Sequence, residues 1–185
     1  MCLMYNFWQN KMNTEAKIET KRLYMREMRQ SDYPSLCNML KDGEVMYAYN
    51  GAFDDGMAHD WLDRQLSRYR EYGLGLWAVI LKDTGEMIGQ CGLTYQDWKG
   101  EQLLEIGYLF MKEFWHKGYA TEAAEGCKNY AFTELGAEKV CSIIRDTNIP
   151  SQNVALRNGM KPIDAWVKHY RGADMPHILY SVENE

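Results

Sequence analysis

Residues 103–121 read Leu103-Leu104-Glu105-Ile106-Gly107-Tyr108-Leu109-Phe110-Met111-Lys112-Glu113-Phe114-Trp115-His116-Lys117-Gly118-Tyr119-Ala120-Thr121. The mostly apolar residues 103–110 predict a strand, and the turn at Gly118 leads into a helix that runs to about residue 135. A helix that begins in such a turn presents unpaired N–H groups and the positive end of its dipole, which together suit a phosphate group. The stretch predicts either an anion-binding turn or an ordinary connection between a strand and a helix.

Strand-like and helix-like periods alternate on both sides of this stretch. The further strands are expected over residues 22–28, 76–81, 86–95, 140–145, 160–170 and 177–182. The further helices are expected after Ser31-Asp32, over residues 58–69 and after Asn148, with loops over residues 42–56 and around Trp98-Lys99-Gly100. The strand, helix, strand order over residues 103–145 predicts a right-handed parallel crossover. The sequence thus predicts a single mixed α+β domain over residues 18–185.

The composition limits the class of protein. The 185 residues carry 21 Lys+Arg and 26 Asp+Glu, a formal charge of −5, which argues against a chain-wide nucleic-acid surface. The longest apolar run, residues 74–81, is far shorter than the ~20 residues that a membrane helix needs. The 5 cysteines are widely spaced and lack partners at zinc-ligand spacing, so we expect reduced thiols, no metal and a cytoplasmic location. Residues 1–17 are expected to form a leader, either frayed or docked on the domain.

Three motifs together give the sequence a family resemblance. The segment W-H-K-G-Y-A-T-E-A contains Gly118 and Ala120 at the spacing (Q/R)-x-x-G-x-(G/A), with Trp115 in place of the first residue. Asn148, Ser151, Asn153-Val154-Ala155 and Gly159 follow the pattern N-x-x-S and N-V-A-x-x-x-G. The preceding E-I-G-Y strand also fits. In these motifs the chain resembles the GNAT superfamily of acetyl-CoA-dependent N-acetyltransferases, and within it the ribosomal-protein alanine and serine N-acetyltransferases.

The resemblance implies a fold and a cofactor site. The implied fold is a strongly twisted, mostly antiparallel mixed sheet of about six or seven strands flanked by about four helices. A splayed parallel strand pair forms the cleft for acetyl-CoA, whose pantetheine arm would pair with the backbone of Leu109, Phe110 and Met111. The pyrophosphate would lie on the main-chain amides of the turn and helix start. The residues that the resemblance assigns to the turn and the last helix are His116, Lys117, Gly118, Tyr119, Ala120, Thr121, Asn148, Asn153 and Arg157.

Glu105 is the candidate general base. It begins an otherwise apolar strand that faces the proposed cleft, and a partly desolvated carboxylate with a raised pKa can accept the proton of an ammonium group. The alternative is a glutamate at a strand edge, exposed to solvent.

Ser151 and Asn148 are the candidates for a hydrogen bond to the leaving thiolate. Many members of the family use a tyrosine of the last helix, but the segment 153–158 contains none. The alternative role for both residues is helix capping, which Ser and Asn side chains perform well. Arg157 either reaches the cofactor or complements the dipole of its helix.

The loop over residues 42–56 is a candidate acceptor surface. By family analogy it lies over the acceptor side of the cleft, where its acids and aromatic rings would favour a cationic amine. The alternative is a solvated loop whose charges serve solubility. The acids and aromatics concerned are Asp42, Glu44, Tyr47, Tyr49, Phe53, Asp54 and Asp55.

Taken together, the sequence predicts an N-acetyltransferase that uses acetyl-CoA and no metal. Its acceptor is expected to be a primary amine, either a protein N-terminus or a small molecule such as a polyamine or an amino acid, attacked directly in a ternary complex. A non-catalytic acyl-CoA-binding regulatory module on the same scaffold is the first alternative, and a nucleotide-binding protein is the second. The chain is expected to act as a monomer or homodimer, without nucleic acid or membrane.

Overall fold

A computed structural model describes residues 16–184, which form eight strands and four α-helices. The strands are β1 Ala16–Glu19, β2 Leu23–Arg26, β3 Gly75–Leu81, β4 Met87–Trp98, β5 Glu101–Phe110, β6 Lys139–Arg145, β7 Lys161–Tyr170 and β8 Ala173–Glu183. The α-helices are α1 Tyr33–Leu40, α2 Asp55–Tyr72, α3 Tyr119–Thr133 and α4 Ile149–Arg157, and short 3-10 helices cover Gln30–Asp32, Tyr47–Tyr49 and Lys112–Phe114.

All eight strands belong to one sheet, in the order β1-β2-β3-β4-β5-β6-β8-β7. Every neighbouring pair is antiparallel except β5 and β6, which are parallel and are connected through α3. The expected α+β class, with a mostly antiparallel sheet and one parallel pair, is confirmed. The sheet has one strand more than the upper expected number, because the short β1 pairs with β2. Of the expected leader, residues 1–15 lie outside the described residues, and Ala16 and Lys17 belong to β1.

The connection between β4 and β5 is tighter than the loop expected there. Trp98 pairs directly with Glu101, so only Lys99 and Gly100 form the turn. Both have positive φ angles, 56° and 89°, as a two-residue hairpin turn of the I′ type requires. The sequence signal for this turn is weak because lysine rarely adopts a left-handed conformation.

Helix α2 packs on β3 through an apolar stripe and two buried polar side chains. The carboxylate of Asp54 caps its first turn by accepting a hydrogen bond from the Met57 N–H at 2.8 Å. On the buried face, the Gln65 side-chain carbonyl accepts a hydrogen bond from the Leu76 N–H at 3.0 Å, and the Tyr69 hydroxyl donates to the Leu76 carbonyl. These bonds fix the rotation of α2 about its own axis. The side chains on the face of α2 that points away from β3 therefore have a fixed direction.

Small residues let helix α3 lie close to the sheet. Its fully or nearly fully buried side chains are Ala123, Ala124, Cys127 and Ala131. The Cys127 thiol lies 3.5 Å from the thiol of Cys91 on β4, and both side chains are buried. A Cβ at Gly126 would lie 3.0 to 3.3 Å from side chains of β1, β2 and the turn between them. The start of α3 is thereby held at the end of the sheet where β5 finishes.

The parallel strands β5 and β6 meet at one residue pair, Glu105 with Cys141. Beyond it, side chains replace the backbone ladder: the Ser142 hydroxyl donates to the Ile106 carbonyl at 2.8 Å, and the Ile143 N–H donates to Glu105 Oε1 at 3.2 Å. The expected splay between these strands is therefore present, and it opens toward the ends of β5 and β6. Within residues 16–184, no helix is both long and apolar enough to span a bilayer.

Candidate functional site

The splay between β5 and β6 opens into a cavity of about 850 Å³. Its walls come from the splayed ends of both strands, the beginnings of α3 and α4, the outer face of α2, the Tyr47–Tyr49 turn and strands β7 and β8. Glu105 lies where the strands part, and the turn before α3 lies at the far end of β5. Five residues of extended strand separate Glu105 from Phe110, about 17 Å. The cavity is thus long, with a carboxylate at one end and a helix start at the other.

The turn before α3 presents unpaired backbone donors to the cavity. Gly118 has a φ of 80° and His116 a φ of 60°, so the chain bends sharply into the helix. The N–H groups of Tyr119, Ala120 and Thr121 find no acceptor among the described residues, as expected for the first turn of a helix. Because α3 is 15 residues long, its dipole adds positive potential at this point. The turn can therefore hold a phosphate or another anion.

Trp115 fixes this turn to the end of β5. Its indole N–H donates to the Phe110 carbonyl at 2.8 Å. The side chain at the position where this chain departs from the Q/R-x-x-G-x-G/A pattern therefore has a structural role in shaping the turn.

Arg22 fixes the turn from the other side, which sequence reasoning did not foresee. Its guanidinium donates to the Lys117 carbonyl at 2.9 Å, forms an ion pair with Glu122 at 2.6 Å and lies 4.3 Å from the Tyr119 ring centroid. Burial acts to raise the pKa of Glu122, but hydrogen bonds from Thr20 and Arg22 outweigh it and lower that pKa. The Glu122 carboxylate therefore stays ionised and maintains its ion pair with Arg22, which holds the turn in place.

The direction of the backbone N–H groups along β5 follows from its register with β4. The Met111 N–H donates to the Ile88 carbonyl at 3.0 Å, and Leu109 is paired opposite Gln90 in the same register. Successive residues of a strand direct their N–H groups to opposite sides. The amides of Leu109 and Met111 therefore face β4, whereas those of Tyr108 and Phe110 face the gap between β5 and β6.

Glu105 combines burial with several polar neighbours. Desolvation raises the pKa of its carboxyl group, and the hydrogen bond from Ile143, the charges of Lys168 and Arg68, and a hydrogen bond with Thr94 partly oppose that rise. The net direction is upward. A carboxylate in this state is a better proton acceptor than one in solvent.

At the beginning of α4 the two candidate side chains have different surroundings. Asn148 is the N-cap, and its side-chain oxygen accepts a hydrogen bond from the Ser151 N–H at 3.2 Å. The Ser151 hydroxyl takes no part in capping, and the Tyr108 hydroxyl is its one hydrogen-bond partner among the described residues. The Tyr108 hydroxyl donates to the Ser151 carbonyl at 3.0 Å, and burial raises its pKa. Two hydroxyl groups, those of Ser151 and Tyr108, thus lie at the same place on the cavity wall.

The acids of the loop over residues 42–56 do not line the cavity. Asp42 accepts hydrogen bonds from the N–H groups of Glu44 and Val45, and Asp54 caps α2. Glu44 pairs with Lys112, and Asp55 pairs with Lys41. These carboxylates have local partners and lie outside the cavity wall, which favours the alternative of a solvated loop over an acceptor surface. The loop contributes Tyr47 and Tyr49 to the cavity instead.

The end of the cavity near Glu105 is aromatic and basic. Tyr49 packs edge-on against Trp61 at 5.6 Å and against Tyr170 at 6.4 Å between ring centroids. Arg64 and Arg68 of α2 and Lys168 of β7 line the same region. Sequence reasoning did not single out these three residues. The one available signal was the spacing of Arg64 and Arg68, which places two like charges on one helix face.

The cavity brings together most of the side chains expected at the site. The expected residues that line it are Glu105, Leu109, Phe110, His116, Gly118, Tyr119, Ala120, Thr121, Asn148, Ser151, Asn153 and Arg157. Met111 and Lys117 are not part of its wall. Within residues 16–184, no three His, Cys, Asp or Glu side chains form a group that could hold a metal ion.

Sequence comparison relates the chain to known proteins. The acetyltransferase (GNAT) domain model matches residues 22–161. YkkB, an uncharacterized protein of Bacillus subtilis (strain 168), is 36% identical over 161 residues, which cover 85% of this chain and 94% of that protein. YnaD, an uncharacterized N-acetyltransferase of the same organism, is 31% identical over 145 residues, which cover 78% of this chain and 82% of that protein.

Structural comparison gives the same fold. RimL, described as a ribosomal L7/L12 alpha-N-protein acetyltransferase in complex with coenzyme A, superimposes with a TM-score of 0.73. The superposition covers 89% of this chain and 95% of RimL, at 13% sequence identity. At that identity the likeness concerns the fold alone.

Proposed function

The chain belongs to the GNAT acetyltransferase family, and we propose that it transfers an acetyl group from acetyl-CoA to a primary amine. The acceptor is either the N-terminal amine of a protein or a small-molecule amine. The observation that carries the proposal is the arrangement of the cavity: unpaired amides at the start of α3 face one end, and the desolvated carboxylate of Glu105 lies at the other. The proposal keeps the cytoplasmic location that the cysteine spacing favours.

The turn and the strand gap suit the two parts of acetyl-CoA. The N–H groups of Tyr119, Ala120 and Thr121 would hold the pyrophosphate, because unpaired donors at a helix start bind phosphate oxygens well. The gap beside Phe110 would hold the pantetheine arm, where exposed strand amides can pair with its amide groups. That RimL has coenzyme A bound on the same fold supports this use of the site.

Direct attack requires no covalent enzyme intermediate. The amine nitrogen attacks the thioester carbonyl carbon, the C–S bond breaks, and the coenzyme leaves as a thiolate. An N–H of Tyr108 or Phe110, both directed at the gap, would stabilise the charge that develops on the carbonyl oxygen. One such donor is commonly worth about 3 kcal/mol. Holding both substrates in line supplies much of the remaining rate enhancement.

Glu105 is the proposed base for the amine proton, either directly or through water. Its raised pKa brings its proton affinity closer to that of the amine, which makes the transfer easier. The Ser151 hydroxyl is the proposed hydrogen-bond donor to the leaving thiolate, because Asn148 is engaged in capping and Ser151 is not. The Tyr108 hydroxyl, on the same part of the wall, is a second donor that can supply the proton.

Calorimetry and a free-thiol assay test the proposal together. We expect acetyl-CoA and CoA to bind in preference to ATP, and we expect thiol release only when an amine is present. Binding of acetyl-CoA without turnover across peptides, amino acids, polyamines and aminoglycosides would identify the non-catalytic acyl-CoA-binding module instead. A preference for ATP would contradict both.

A further inference from the structure

The end of the cavity around Glu105 carries three basic side chains and one acidic side chain. Arg64 and Arg68 lie four residues apart on one face of α2, about 6 Å along the helix axis. Lys168 approaches from β7. Among residues 16–184, none of these three forms an ion pair, and Glu105 is the one acidic side chain that lines the cavity. This region therefore has an excess of positive charge.

The acids of α2 itself leave this excess in place. Asp60 lies four residues before Arg64 but forms no ion pair among the described residues, and Asp63 accepts a hydrogen bond from the Gln30 side chain at 3.4 Å. Burial lowers the pKa of Arg68, the neighbouring charge of Arg64 lowers it further, and the charge of Glu105 opposes this change only in part. Two partly desolvated like charges on one helix face destabilise the free protein slightly. Such an arrangement becomes favourable when an anion lies between them.

Aromatic rings lie beside two of these three cations, Arg64 and Lys168. The Arg64 guanidinium lies 5.9 Å from the Trp61 ring centroid, and the Lys168 ammonium lies 5.7 Å from that of Trp98. Trp61 is itself fixed by its indole N–H, which donates to the Gln90 side chain at 3.0 Å. These contacts restrict the side chains of Arg64 and Lys168 before any ligand binds, which lowers the entropy cost of binding one.

We propose that the acceptor is an amine that also carries an anionic oxygen group, a carboxylate or a phosphate, and that Arg64 and Arg68 bind this group. The inference rests on the proposed acetyl transfer and names the acceptor class for it. A guanidinium group presents paired N–H donors that match carboxylate and phosphate oxygens. The amine then faces Glu105, while the anionic group lies against α2. Polyamines and aminoglycosides, which are cationic throughout, are repelled by the same residues.

The basic residues also affect the acceptor amine. Nearby positive charge disfavours the ammonium form and lowers the pKa of the amine. More of the bound acceptor is then neutral and able to attack. The cations thus discriminate among acceptors and favour the reactive form of the one selected.

Matched acceptor pairs test the inference. We would compare kcat/KM for glycine with glycinamide, for O-phosphoethanolamine with ethanolamine, and for a short peptide amide with an acidic second residue against the same peptide with the neutral amide residue there. Spermidine serves as the cationic reference. We expect the anionic member of at least one pair to be preferred by about tenfold or more, since hydrogen bonds between charged groups are the strong ones. The pair that shows the preference distinguishes a carboxylate from a phosphate and a free amino acid from a peptide.

Arginine variants assign the preference to residues. Arg68→Gln and Arg64→Gln should reduce the anionic-to-neutral ratio of kcat/KM by about tenfold, and leave acetyl-CoA affinity unchanged. Arg70→Gln is the matched control, because Arg70 lies on the same helix but outside the cavity and bonds to Ser67. The preference for the anionic acceptor should also weaken as the salt concentration rises, since the ion pairs between the arginines and the acceptor are partly exposed.

The outcomes separate this inference from the proposed function. If the neutral member is used as well as the anionic member in every pair, or if the ratio is unchanged in Arg68→Gln, the inference is overturned while acetyl transfer stands. If acetyl-CoA binds and no amine reacts, the proposed function fails. The anion site is then judged by binding. Greater thermal stabilisation by glycine than by glycinamide, or by O-phosphoethanolamine than by ethanolamine, that is lost in Arg68→Gln supports the site. Equal effects within both pairs overturn it.

Discussion

The backbone N–H of Ile143 donates a hydrogen bond to Glu105 Oε1 at 3.2 Å, two residues beyond Cys141, which is paired with Glu105 on β6. The carboxylate thus satisfies an amide that the diverging strand would otherwise leave unpaired. In the same position it lines the cavity, partly desolvated. One side chain therefore marks the point where the strands separate and supplies the proposed base.

We predict that Glu105→Gln lowers kcat by roughly a hundredfold or more, the usual contribution of a general base. The amide keeps an oxygen that can accept the Ile143 N–H, so acetyl-CoA affinity should change little. Steady-state kinetics and calorimetry measure the two effects. Glu101→Gln, on the exposed beginning of the same strand, is the control and should behave as the parent protein does. Equal turnover in Glu105→Gln and the parent would remove the assignment.

The activity should depend on pH through the same group. Because desolvation raises the pKa of Glu105, the base is protonated and inactive below that value, so kcat/KM should fall as the pH drops through it. The midpoint of this acidic limb should lie above the ordinary glutamate range. In Glu105→Gln the limb should be absent. A limb of the same midpoint in the variant would assign the titration to another group.

The contribution of Glu105 to stability should have the opposite pH dependence to its contribution to activity. A carboxyl group whose pKa is higher in the folded than in the unfolded state favours folding below its ordinary pKa, and this contribution is lost as the pH rises through the folded value. At neutral pH the ionised Glu105 therefore costs stability. Glu105→Gln should raise the Tm at pH 7 relative to the parent, with a smaller gain at pH 4. A Tm that falls at pH 7 would mean that the ionised form is stabilised.

Gly118→Ala should weaken acetyl-CoA binding. Its φ of 80° strains any residue with a Cβ by about 1 kcal/mol, and relief of the strain would turn the amides of the following helix away from the cavity. Gly136→Ala is the matched control, because Gly136 has a φ of 63° and open space around it at the other end of α3. Calorimetry should show a loss of affinity in the first variant only, with similar falls in Tm in both. Equal affinities would contradict an anion site at this turn.

We predict that substitutions of Asn148 and Ser151 affect different properties, the stability of the protein and its turnover respectively. Asn148→Ala removes a helix cap and should lower stability by about 1 kcal/mol. Ser151→Ala leaves the cap in place and should lower kcat with little change in Tm. Thermal unfolding and steady-state kinetics measure both. An unchanged kcat in Ser151→Ala would contradict the role of Ser151 as donor to the leaving thiolate. A lower kcat in Tyr108→Phe would then assign that role to Tyr108.

Local patterns predicted the elements where periodicity was strong. Helix α2 was expected from its apolar spacing, and β5 from its run of apolar residues. β1 was not expected, because its four residues alternate with charge and it is stable only by pairing with β2. The sequence around Lys99 and Gly100 predicts a loop instead of a two-residue turn, because no sequence pattern indicates a lysine with a left-handed conformation.

The site residues that belong to a sequence motif could be predicted. Those that reach the site from distant segments of the chain could not. Glu105, Gly118 and Asn148 lie in recognisable patterns. Arg22 meets Glu122 across 100 positions of sequence, and the two arginines of α2 face Glu105 only after the sheet has formed. The acidic loop gave no indication of these basic residues, and its carboxylates cap a helix or pair locally.

A crystal structure with coenzyme A bound tests the central claim most directly. We predict pyrophosphate density against the amides of Tyr119, Ala120 and Thr121, and the thiol in the gap between β5 and β6 near Tyr108. Density for the coenzyme at any other place, or strands β5 and β6 paired beyond Glu105 so that the gap is closed, would contradict it.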